Sequence, residues 1–355
     1  MNRSINNRKR QHIDVMLADS DVDRRKNYFD QILLAHRGLP EIDLDAVDTS
    51  IRFLGKQLSA PLLISSMTGG DDPLVRVINK NLALAAQATQ VAMAVGSQRV
   101  MFIHPQARAS FDLRRFAPST LLFANLGAVQ LNYGFGLQQC RTAVEVLQAD
   151  ALYLHLNPLQ EAVQPEGNVN FAGLIRKIAD LNHRLQQPVI LKEVGAGLCL
   201  QDVRLALRHG LSYFDVAGSG GTSWSRIEHR RDRRKNSYNL GLTFQDWGIP
   251  TPLALQQLRP LRKRITLIGS GGVRSGIDVI KCMVLGASLV GLAFPFFKPA
   301  MKSPDAVIAV IRRLQREIKI GMFLLGITKA DRLIHNDRLL LYAPTVEPTA
   351  PLNRR

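Results

Sequence analysis

Eight short runs of apolar residues recur along the chain, and longer segments separate them. The runs are rich in Val, Ile, Leu and aromatic residues, which is typical of parallel strands that are buried on both faces. They occupy residues 62–66, 91–95, 121–125, 151–156, 189–192, 213–216, 265–268 and 289–294. Successive runs start 24 to 52 residues apart, and this interval accommodates a strand, a loop and a covering helix.

Helical periodicity fills several of these intervals. Apolar residues recur every three to four positions in segments 75–89, 276–285 and 305–321. Eight alternations of strand and helix predict an α/β fold in which the strands close into a (β/α)8 barrel, the TIM barrel. An open, doubly wound parallel sheet is the alternative arrangement.

The pattern also divides the chain. We expect an N-terminal arm at residues 1–60, a barrel at 61–326 and a polar C-terminal tail at 327–355. The longest interval between strands holds an insertion at 218–250, after the sixth strand.

Composition indicates a folded globular chain, since 46% of the residues are apolar and 21% are charged. No apolar run reaches the roughly 18 residues of a membrane-spanning helix, and the polar, basic amino end does not resemble a secretory signal. Three widely spaced cysteines, Cys140, Cys199 and Cys282, indicate neither a disulfide framework nor a zinc finger. We therefore expect a cytoplasmic protein.

The charge balance is strongly basic, because 46 Lys and Arg residues against 29 Asp and Glu residues give +17. Such a field favours anionic partners, among them nucleic acids, membrane surfaces and phosphorylated metabolites. The densest basic cluster, residues 230–235, is either a solvated loop or a rim that attracts anions. Aromatic residues do not alternate with it, which argues against a platform that stacks single-stranded bases.

Glycine-rich loops follow the sixth and seventh predicted strands, at 218–222 and 269–272. In a barrel of this type the carboxyl ends of the strands carry the active site, so both loops open on one mouth. Glycines allow backbone N–H groups to approach an anion closely, and a helix start adds positive potential. The loops therefore favour a phosphate site, with ordinary turns as the alternative.

Three polar side chains end strands or follow them directly. Lys192 is either neutralised by Glu193 or another carboxylate, or it faces an anionic cofactor such as a reduced flavin. Glu161 is either a solvated loop residue or the one carboxylate that holds Mg²⁺ together with substrate phosphates. His155 is either a hydrogen-bonded core residue or part of the site.

Ordered motifs extend this picture from about residue 8 to about residue 332. They are Arg8-Lys9 with His12-Ile13, Met67-Thr68-Gly69-Gly70, Gly96-Ser97-Gln98-Arg99, His155-Leu156-Asn157-Pro158 with Gln160-Glu161, Lys192-Glu193-Val194-Gly195, and Gly220-Gly221-Thr222 before Ile227-Glu228. In these motifs the chain closely resembles the type 2, flavin-dependent isopentenyl-diphosphate isomerases.

The resemblance implies an isomerase of isoprenoid biosynthesis that interconverts isopentenyl diphosphate and dimethylallyl diphosphate by proton addition and elimination. It implies reduced FMN, Mg²⁺ and NADPH as the flavin reductant. It also implies a homo-oligomer, a tetramer or an octamer, with a small-molecule diphosphate substrate. We expect neither a nucleic acid nor a membrane as partner.

The site residues are carried over from the same resemblance. The residues implied to contact FMN are Ser66, Met67, Thr68, Ser97, Asn125, Lys192, Thr222, Gly271, Gly272, Val273, Ala293 and Phe294. The residues implied to contact the substrate are Arg8, Lys9, Ser97, Gln98, Arg99, His155, Asn157 and Gln160. Glu161 matches the magnesium ligand, and Trp224 matches a position near the prenyl group. Gln160 and His155 are the expected catalytic side chains, with FMN as acid or base and the arm as a lid.

Three rival functions share parts of the pattern. A 2-hydroxy-acid oxidase needs His and Arg in the sixth-strand loop, yet no histidine occurs from residue 218 until His229. An inosine-monophosphate-dehydrogenase-like enzyme needs a nucleophilic cysteine near that loop, and none lies between Cys199 and Cys282. A basic nucleic-acid-binding protein would account for the charge, but it leaves the polar strand ends unexplained.

Overall fold

The structure, a computed structural model, describes residues 3–24, 26–67, 69–232 and 239–344, with side chains from Lys9 onward. Within these residues twelve strands follow one another in chain order. They are β1 Leu33–Leu34, β2 Ile51–Phe53, β3 Lys56–Leu58, β4 Leu62–Ile64, β5 Ala92–Ala94, β6 Leu122–Gly127, β7 Ala151–Leu156, β8 Val189–Glu193, β9 Tyr213–Asp215, β10 Thr266–Ser270, β11 Ala287–Leu292 and β12 Leu340–Tyr342.

Helices alternate with the strands. The α-helices of the described residues are α1 Arg3–Ala18, α2 Pro73–Thr89, α3 Leu137–Leu147, α4 Pro158–Val163, α5 Leu174–Arg184, α6 Leu200–Arg208, α7 Trp224–Arg231, α8 Leu240–Thr243, α9 Thr251–Gln257, α10 Gly276–Val284, α11 Phe294–Lys302 and α12 Pro304–Leu324. Shorter 3₁₀ helices occupy Ser20–Val22, Phe29–Gln31, Gln98–Phe102, Pro105–Ser110, Ala128–Asn132, Arg259–Leu261, Ala330–Leu333 and Asp337–Leu339.

Strands β4 to β11 form a closed parallel barrel. The ring closes where β11 pairs in parallel with β4, with Val290 opposite Leu62 and Leu292 opposite Ile64. Each of the eight predicted apolar runs contains one of these strands or overlaps it. The predicted (β/α)8 barrel is therefore confirmed, and the open sheet is wrong because its two edge strands are hydrogen-bonded to each other.

Local sequence signals set the helix ends. Asp72 caps α2 by accepting the Leu74 N–H at 2.8 Å, and Pro73 occupies the first turn, where its missing N–H costs nothing. Ser275 and Asp278 form a reciprocal capping box at the start of α10. The capping box fixes the residue at which α10 begins, just after the glycine loop that follows β10.

The core fills the barrel and the space between the strands and the helices. On the apolar face predicted for α12, Val307, Ile311, Leu314 and Ile318 are fully buried and Val310 is half-buried. Inside the barrel the ring of Phe123 lies 5.5 Å from that of Tyr153 in an edge-to-face arrangement. None of the helices in the described part of the chain is long and apolar enough to cross a membrane.

The arm and the tail contact each other and the barrel. Strand β1 pairs antiparallel with β12, with Leu33 opposite Tyr342. Ala330 and Leu333 of the tail are fully buried, so this part of the tail is packed structure. The boundaries at residues 60 and 326 stay a prediction, and residues 345–355 lie outside the described residues.

Candidate functional site

A cleft opens at the carboxyl ends of the barrel strands, where the sequence predicts the site. Polar groups from the strand ends, both glycine loops and α1 contribute to its wall. Its lining includes Lys9, Met16, Ser65, Ser66, Met67, Ser97, Asn125, His155, Gln160, Lys192, Gly195, Gly221, Thr222, Trp224, Gly271, Gly272, Val273, Arg274, Ala293 and Phe294.

Asn125, near the end of β6, connects three strands at the base of the cleft. Its Oδ1 lies 2.7 Å from Nδ1 of His155, and its Nδ2 donates to Oγ of Ser66 at 2.8 Å. The backbone N–H of Asn125 donates to Oε1 of Gln98 at 2.9 Å. The chain His155–Asn125–Ser66 therefore fixes the orientation of three predicted site residues.

His155 is uncharged in this environment. Burial lowers its pKa, and the nearby cations Lys192, Lys9 and Arg99 lower it further, to about 3. A neutral imidazole that donates from Nδ1 to the Asn125 oxygen keeps Nε2 as a hydrogen-bond acceptor. His155 can therefore accept a hydrogen bond through that atom.

The two glycine loops touch each other beside the cleft. A Cβ at Gly221 would lie only 2.6 Å from the backbone N of Gly272, and one at Gly272, where φ is +75°, only 2.7 Å from the Gly220 oxygen. Only glycine permits this approach without displacing backbone. The result is a wall of main-chain atoms suited to an anion.

Two further observations fit an FMN-sized anionic ligand at this wall. No side chain caps the start of α11, where Ala293 and Phe294 line the cleft. The hydroxyl of Ser65 is buried in the wall and has no hydrogen-bond partner among the described residues. Uncapped helix starts and orphaned hydroxyls are groups that a bound phosphate or a heterocycle can satisfy.

Lys192 is the second-last residue of β8, lies inside the barrel mouth and is 7% exposed. Its ammonium group donates to the carbonyl oxygen of Glu193 at 2.7 Å. On the neighbouring strand β9, the register partner of Lys192 is the fully buried Asp215. The sequence offered Glu193 as the first candidate for neutralising Lys192, but the Glu193 side chain instead accepts the N–H groups of residues 194, 196 and 197.

Glu161, at the start of α4, is buried among amide donors. Its Oε1 accepts from Asn157 Nδ2 at 3.0 Å, and its Oε2 accepts from Gln164 Nε2 at 2.6 Å and from the N–H of Asn168 at 2.5 Å. Oδ1 of Asn157 is buried without a partner in the described structure. These two neighbouring oxygen groups fit a hard cation such as Mg²⁺.

Metal binding here would rest on few protein ligands. Among the described residues there is no group of three or more His, Cys, Asp or Glu side chains that could hold a metal ion. Mg²⁺ commonly binds through one carboxylate together with substrate phosphates and water. Glu161 would supply that carboxylate here.

Helix α1 brings the arm to the cleft. Lys9 and Met16 line it, and Nε2 of His12 lies 3.1 Å from Oε1 of Glu228 on α7. The same Glu228 oxygen accepts from Gln160 Nε2 at 2.8 Å. Burial raises the pKa of Glu228, but the contacts with His12, Arg231 and Gln160 outweigh it and lower the pKa to about 2.

Part of the basic cluster is paired within the molecule. Arg230 contacts Asp19 at 2.7 Å, and Arg231 contacts both Glu228 and Glu166 at 2.7 Å. These arginines therefore hold the arm and the α4 loop to α7 and are not merely solvated. The remaining basic residues of the cluster, 233–235, lie outside the described residues.

The predicted site residues fall into two groups. Most of those assigned to FMN, with Lys9, His155 and Gln160, line the cleft. Gln98, Arg99 and Asn157 are not in its described wall: Gln98 is fully buried and donates to the Ala143 oxygen at 2.8 Å, and Arg99 donates to Asn168 at 3.1 Å. Thr68 and the side chain of Arg8 lie outside the description.

Sequence reasoning missed several residues of the site. Arg274 lines the cleft next to the second glycine loop and forms an ion pair with Asp23 of the arm. Arg24 donates to the carbonyl oxygens of Gly221 and Gly195, at 2.9 and 2.7 Å. Arg274 could have been predicted, because a cation two residues after the glycine loop indicates a group at the anion site. Arg24 could not, because its partners lie more than 170 residues away in the sequence.

Comparison with known proteins gives consistent results. A sequence profile described as FMN-dependent dehydrogenase matches residues 141–339. The chain is 53% identical over 337 residues to an isopentenyl-diphosphate delta-isomerase of Hydrogenovibrio crunogenus, a match that covers 95% of this chain and 98% of that protein. It is 54% identical to the protein of the same name from Paracoccus zeaxanthinifaciens, with 94% and 96% covered.

Solved structures show the same barrel. A flavocytochrome b2 variant with sulfite bound superposes with a TM-score of 0.66 at 21% identity, covering 90% of this chain and 78% of that one. A mandelate oxidase variant gives 0.58 at 17% identity, with 88% and 89% covered. This similarity concerns the fold alone. The sequence relationship, however, confirms the predicted resemblance: the chain is an enzyme of the isopentenyl-diphosphate delta-isomerase family, on the barrel of the FMN-dependent dehydrogenases.

Proposed function

We propose that this enzyme interconverts isopentenyl diphosphate and dimethylallyl diphosphate in isoprenoid biosynthesis, with reduced FMN and Mg²⁺ in the cleft and NADPH as flavin reductant. One observation carries the proposal. The glycine loops, Lys192 and the hydrogen-bonded chain from His155 to Ser66 converge on a single cleft that the arm partly covers.

The cleft residues have the chemistry to hold FMN. Main-chain groups of the two glycine loops and the α11 start would bind the phosphate, and Lys192 would lie against the ring with Ser66, Met67, Thr68, Ser97 and Asn125. When bound, an electron-rich reduced flavin supplies acid–base capacity and stabilises positive charge on an alkene. Lys192 would favour the anionic form of that ring through its charge.

Cations and Glu161 would fix the diphosphate. Lys9 lies at the cleft, and Arg8 and Arg99 are close in sequence to residues that line it. Glu161 would share Mg²⁺ with the phosphate oxygens, while Asn157 offers a neighbouring amide oxygen. Holding the diphosphate at one end sets the position of the alkene at the other.

Gln160 and His155 would act on protons from fixed orientations. Gln160 donates to Glu228, which leaves its Oε1 beside Asn157 Nδ2 at 3.2 Å. His155 presents an unprotonated Nε2 because Nδ1 is engaged by Asn125. Both side chains would thus bind the substrate and assist proton transfer from fixed orientations.

Exclusion of water is the remaining requirement, since water would trap a carbocation. Met16 of the arm, Trp224 and Phe294 provide apolar wall on different sides of the cleft. The arm would act as a lid, since α1 carries both Lys9 and Met16.

We further propose a cytoplasmic homo-oligomer, a tetramer or an octamer. Sedimentation velocity would test the oligomeric state directly.

The decisive experiment is anaerobic. Enzyme loaded with FMN and reduced by NADPH is mixed with Mg²⁺ and isopentenyl diphosphate in deuterated water, and products are followed by proton NMR. Deuterium-bearing dimethylallyl diphosphate is expected. Enzyme with oxidised FMN is the matched control and should be inactive. Unchanged substrate in the presence of bound, reduced FMN would contradict the proposal.

A further inference from the structure

Asp215 is a buried acidic neighbour of Lys192, and the proposed reaction assigns no role to it. Lys192 and Asp215 are register neighbours on strands β8 and β9, and His155 is the register neighbour of Lys192 on β7. Register neighbours on adjacent parallel strands lie about 4.8 Å apart and point to the same face of the sheet. The three side chains therefore form one row across the barrel.

Asp215 is fully buried and surrounded by donors. Tyr153 donates its hydroxyl to Oδ2 at 2.8 Å, while Oδ1 accepts from Ser270 at 2.6 Å and from the N–H of Ala217 at 3.2 Å. Burial raises the pKa of this carboxyl, and the charge of Lys192 opposes the rise, as do the donated hydrogen bonds. The pKa of Asp215 stays above its ordinary value, and the three donors and the neighbouring ammonium are the groups that favour its ionised form.

The same network reaches the cleft wall. Ser270 and Ala217 both line the cleft, so the groups that hold Asp215 lie between it and the space assigned to the cofactor. Asp215 itself is screened from solvent by Tyr153, which is also fully buried. The negative charge of Asp215 would therefore change the electrostatic potential in the cleft, although its side chain would not contact a ligand.

We propose that Asp215 is a positioning residue that balances the charge of Lys192 and thereby limits how strongly the cleft stabilises a negatively charged ring. This inference rests on the proposed binding of FMN. It predicts that the charge of the Lys192–Asp215 pair, and not Lys192 alone, sets the reduction potential of the bound flavin. Tyr153 and Ser270 keep Asp215 in place through their hydroxyl groups.

The first test uses the protein without added flavin. Thermal unfolding is measured for the wild type, Lys192→Met, Asp215→Asn and the double variant. Each single change removes one of two opposite buried charges on neighbouring strands, whereas the double change removes both. The double variant is therefore expected to be more stable than the sum of the single effects predicts. Additive effects would overturn the pairing of the two residues.

The second test measures the midpoint potential of FMN bound to the wild type, Asp215→Asn and Tyr153→Phe, by reduction with dithionite. Two-electron reduction leaves negative charge on the ring, so removal of the Asp215 charge is expected to shift the potential to more positive values. Tyr153→Phe, which removes a hydrogen bond but no charge, should shift it much less. A purely structural role for Asp215 would leave both potentials equal to that of the wild type.

The two tests separate the inference from the proposed function. If the wild type takes up no FMN, the proposed function fails. The unfolding measurements on the single and double variants then still test whether Lys192 and Asp215 interact. If the wild type binds FMN but Asp215→Asn leaves its potential unchanged, the inference is overturned while the proposed function stands. Should Asp215→Asn fail to fold, folding of the double variant would support the charge balance, and failure of both would overturn it. The potential of FMN in the double variant is then compared with that in Lys192→Met, and equal potentials would overturn the inference.

Discussion

Gln160 donates its side-chain amide to Oε1 of Glu228 at 2.8 Å, across the gap between α4 and α7. Because His12 of the arm contacts the same oxygen at 3.1 Å, one carboxylate joins the arm to a residue of the cleft. The ring of His12 also packs edge-on against Trp224, with centroids 5.2 Å apart. The position of the arm and the orientation of Gln160 therefore depend on the same carboxylate.

Glu228→Gln is expected to destabilise the protein by about 1.5–3 kcal/mol at neutral pH, because Arg231 loses its buried partner while it keeps Glu166. The folded pKa of Glu228, about 2, lies below the ordinary 4.5, so its contribution is complete above pH 4.5 and is lost as pH falls toward 2. The difference in unfolding free energy between wild type and variant, measured with urea, should shrink over that range. A constant difference would contradict the assignment.

His155 is expected to stay neutral from about pH 8 to about pH 5, since its pKa is lowered to about 3. The unfolded chain takes up this proton near pH 6.5, so the stability contributed by neutral His155 is present above pH 6.5 and declines as pH falls. Ring ¹⁵N shifts by NMR measure the titration, with the protein unfolded in urea as the control. A titration of the native signal near pH 6.5 would count against the buried, neutral ring.

Glu161→Gln is expected to raise the Mg²⁺ concentration needed for half-maximal activity by at least about tenfold, since a neutral amide binds hard cations less well than a carboxylate. Glu166→Gln is the matched control, because Glu166 lies just after α4, the helix that carries Glu161, but pairs with Arg231. Retention of FMN through desalting should be unchanged in both. An unaltered Mg²⁺ requirement in Glu161→Gln would remove this residue from the metal site.

Arg8→Ala is expected to raise KM for isopentenyl diphosphate by about tenfold, the cost of one charge-assisted hydrogen bond, and to leave the affinity for FMN unchanged. Arg10→Ala serves as the control on the same helix, because Arg10 is exposed and pairs with Asp14. Steady-state kinetics measure both. Equal KM values for Arg8→Ala and Arg10→Ala would make the basic arm a structural element only.

The purified protein is expected to bind FMN and to remain yellow through desalting, and Gly221→Ala is expected to abolish this retention. The added methyl group would lie 2.6 Å from the Gly272 nitrogen and would force the two loops apart. Gly38→Ala, where a Cβ meets nothing within 4 Å, is the control and should stay yellow. A wild type that takes up no FMN, or a yellow Gly221→Ala protein, would each contradict the proposed phosphate cradle.

The barrel could be predicted because its strands are short segments of mainly apolar residues. Each is a short, mainly apolar run separated from the next by a longer segment, and a polar residue at its end, such as Lys192 or Asn125, marks the mouth. The position of a residue after a strand does not, however, reveal which way its side chain turns. Gln98 follows a strand as Ser97 does, yet it is buried against Ala143 and Asn125.

The network around Asp215 and the contacts of the arm were not predictable in the same way. An aspartate inside an apolar run is a visible anomaly, but only the register of β8 and β9 shows that it faces Lys192. The ion pairs of Asp19 with Arg226 and Arg230 join residues more than 200 positions apart. Such pairs carry no periodic signal, so they emerge only from the folded chain.

The pairing of β1 with β12 has a consequence for synthesis on the ribosome. Leu33 cannot meet Tyr342 until nearly the whole chain has been translated, although the arm is among the first segments to emerge. Nascent chains would thus hold β1 without its partner strand, and a truncation that deletes β12 should leave Leu33 and Leu34 unpaired even though every barrel strand is intact.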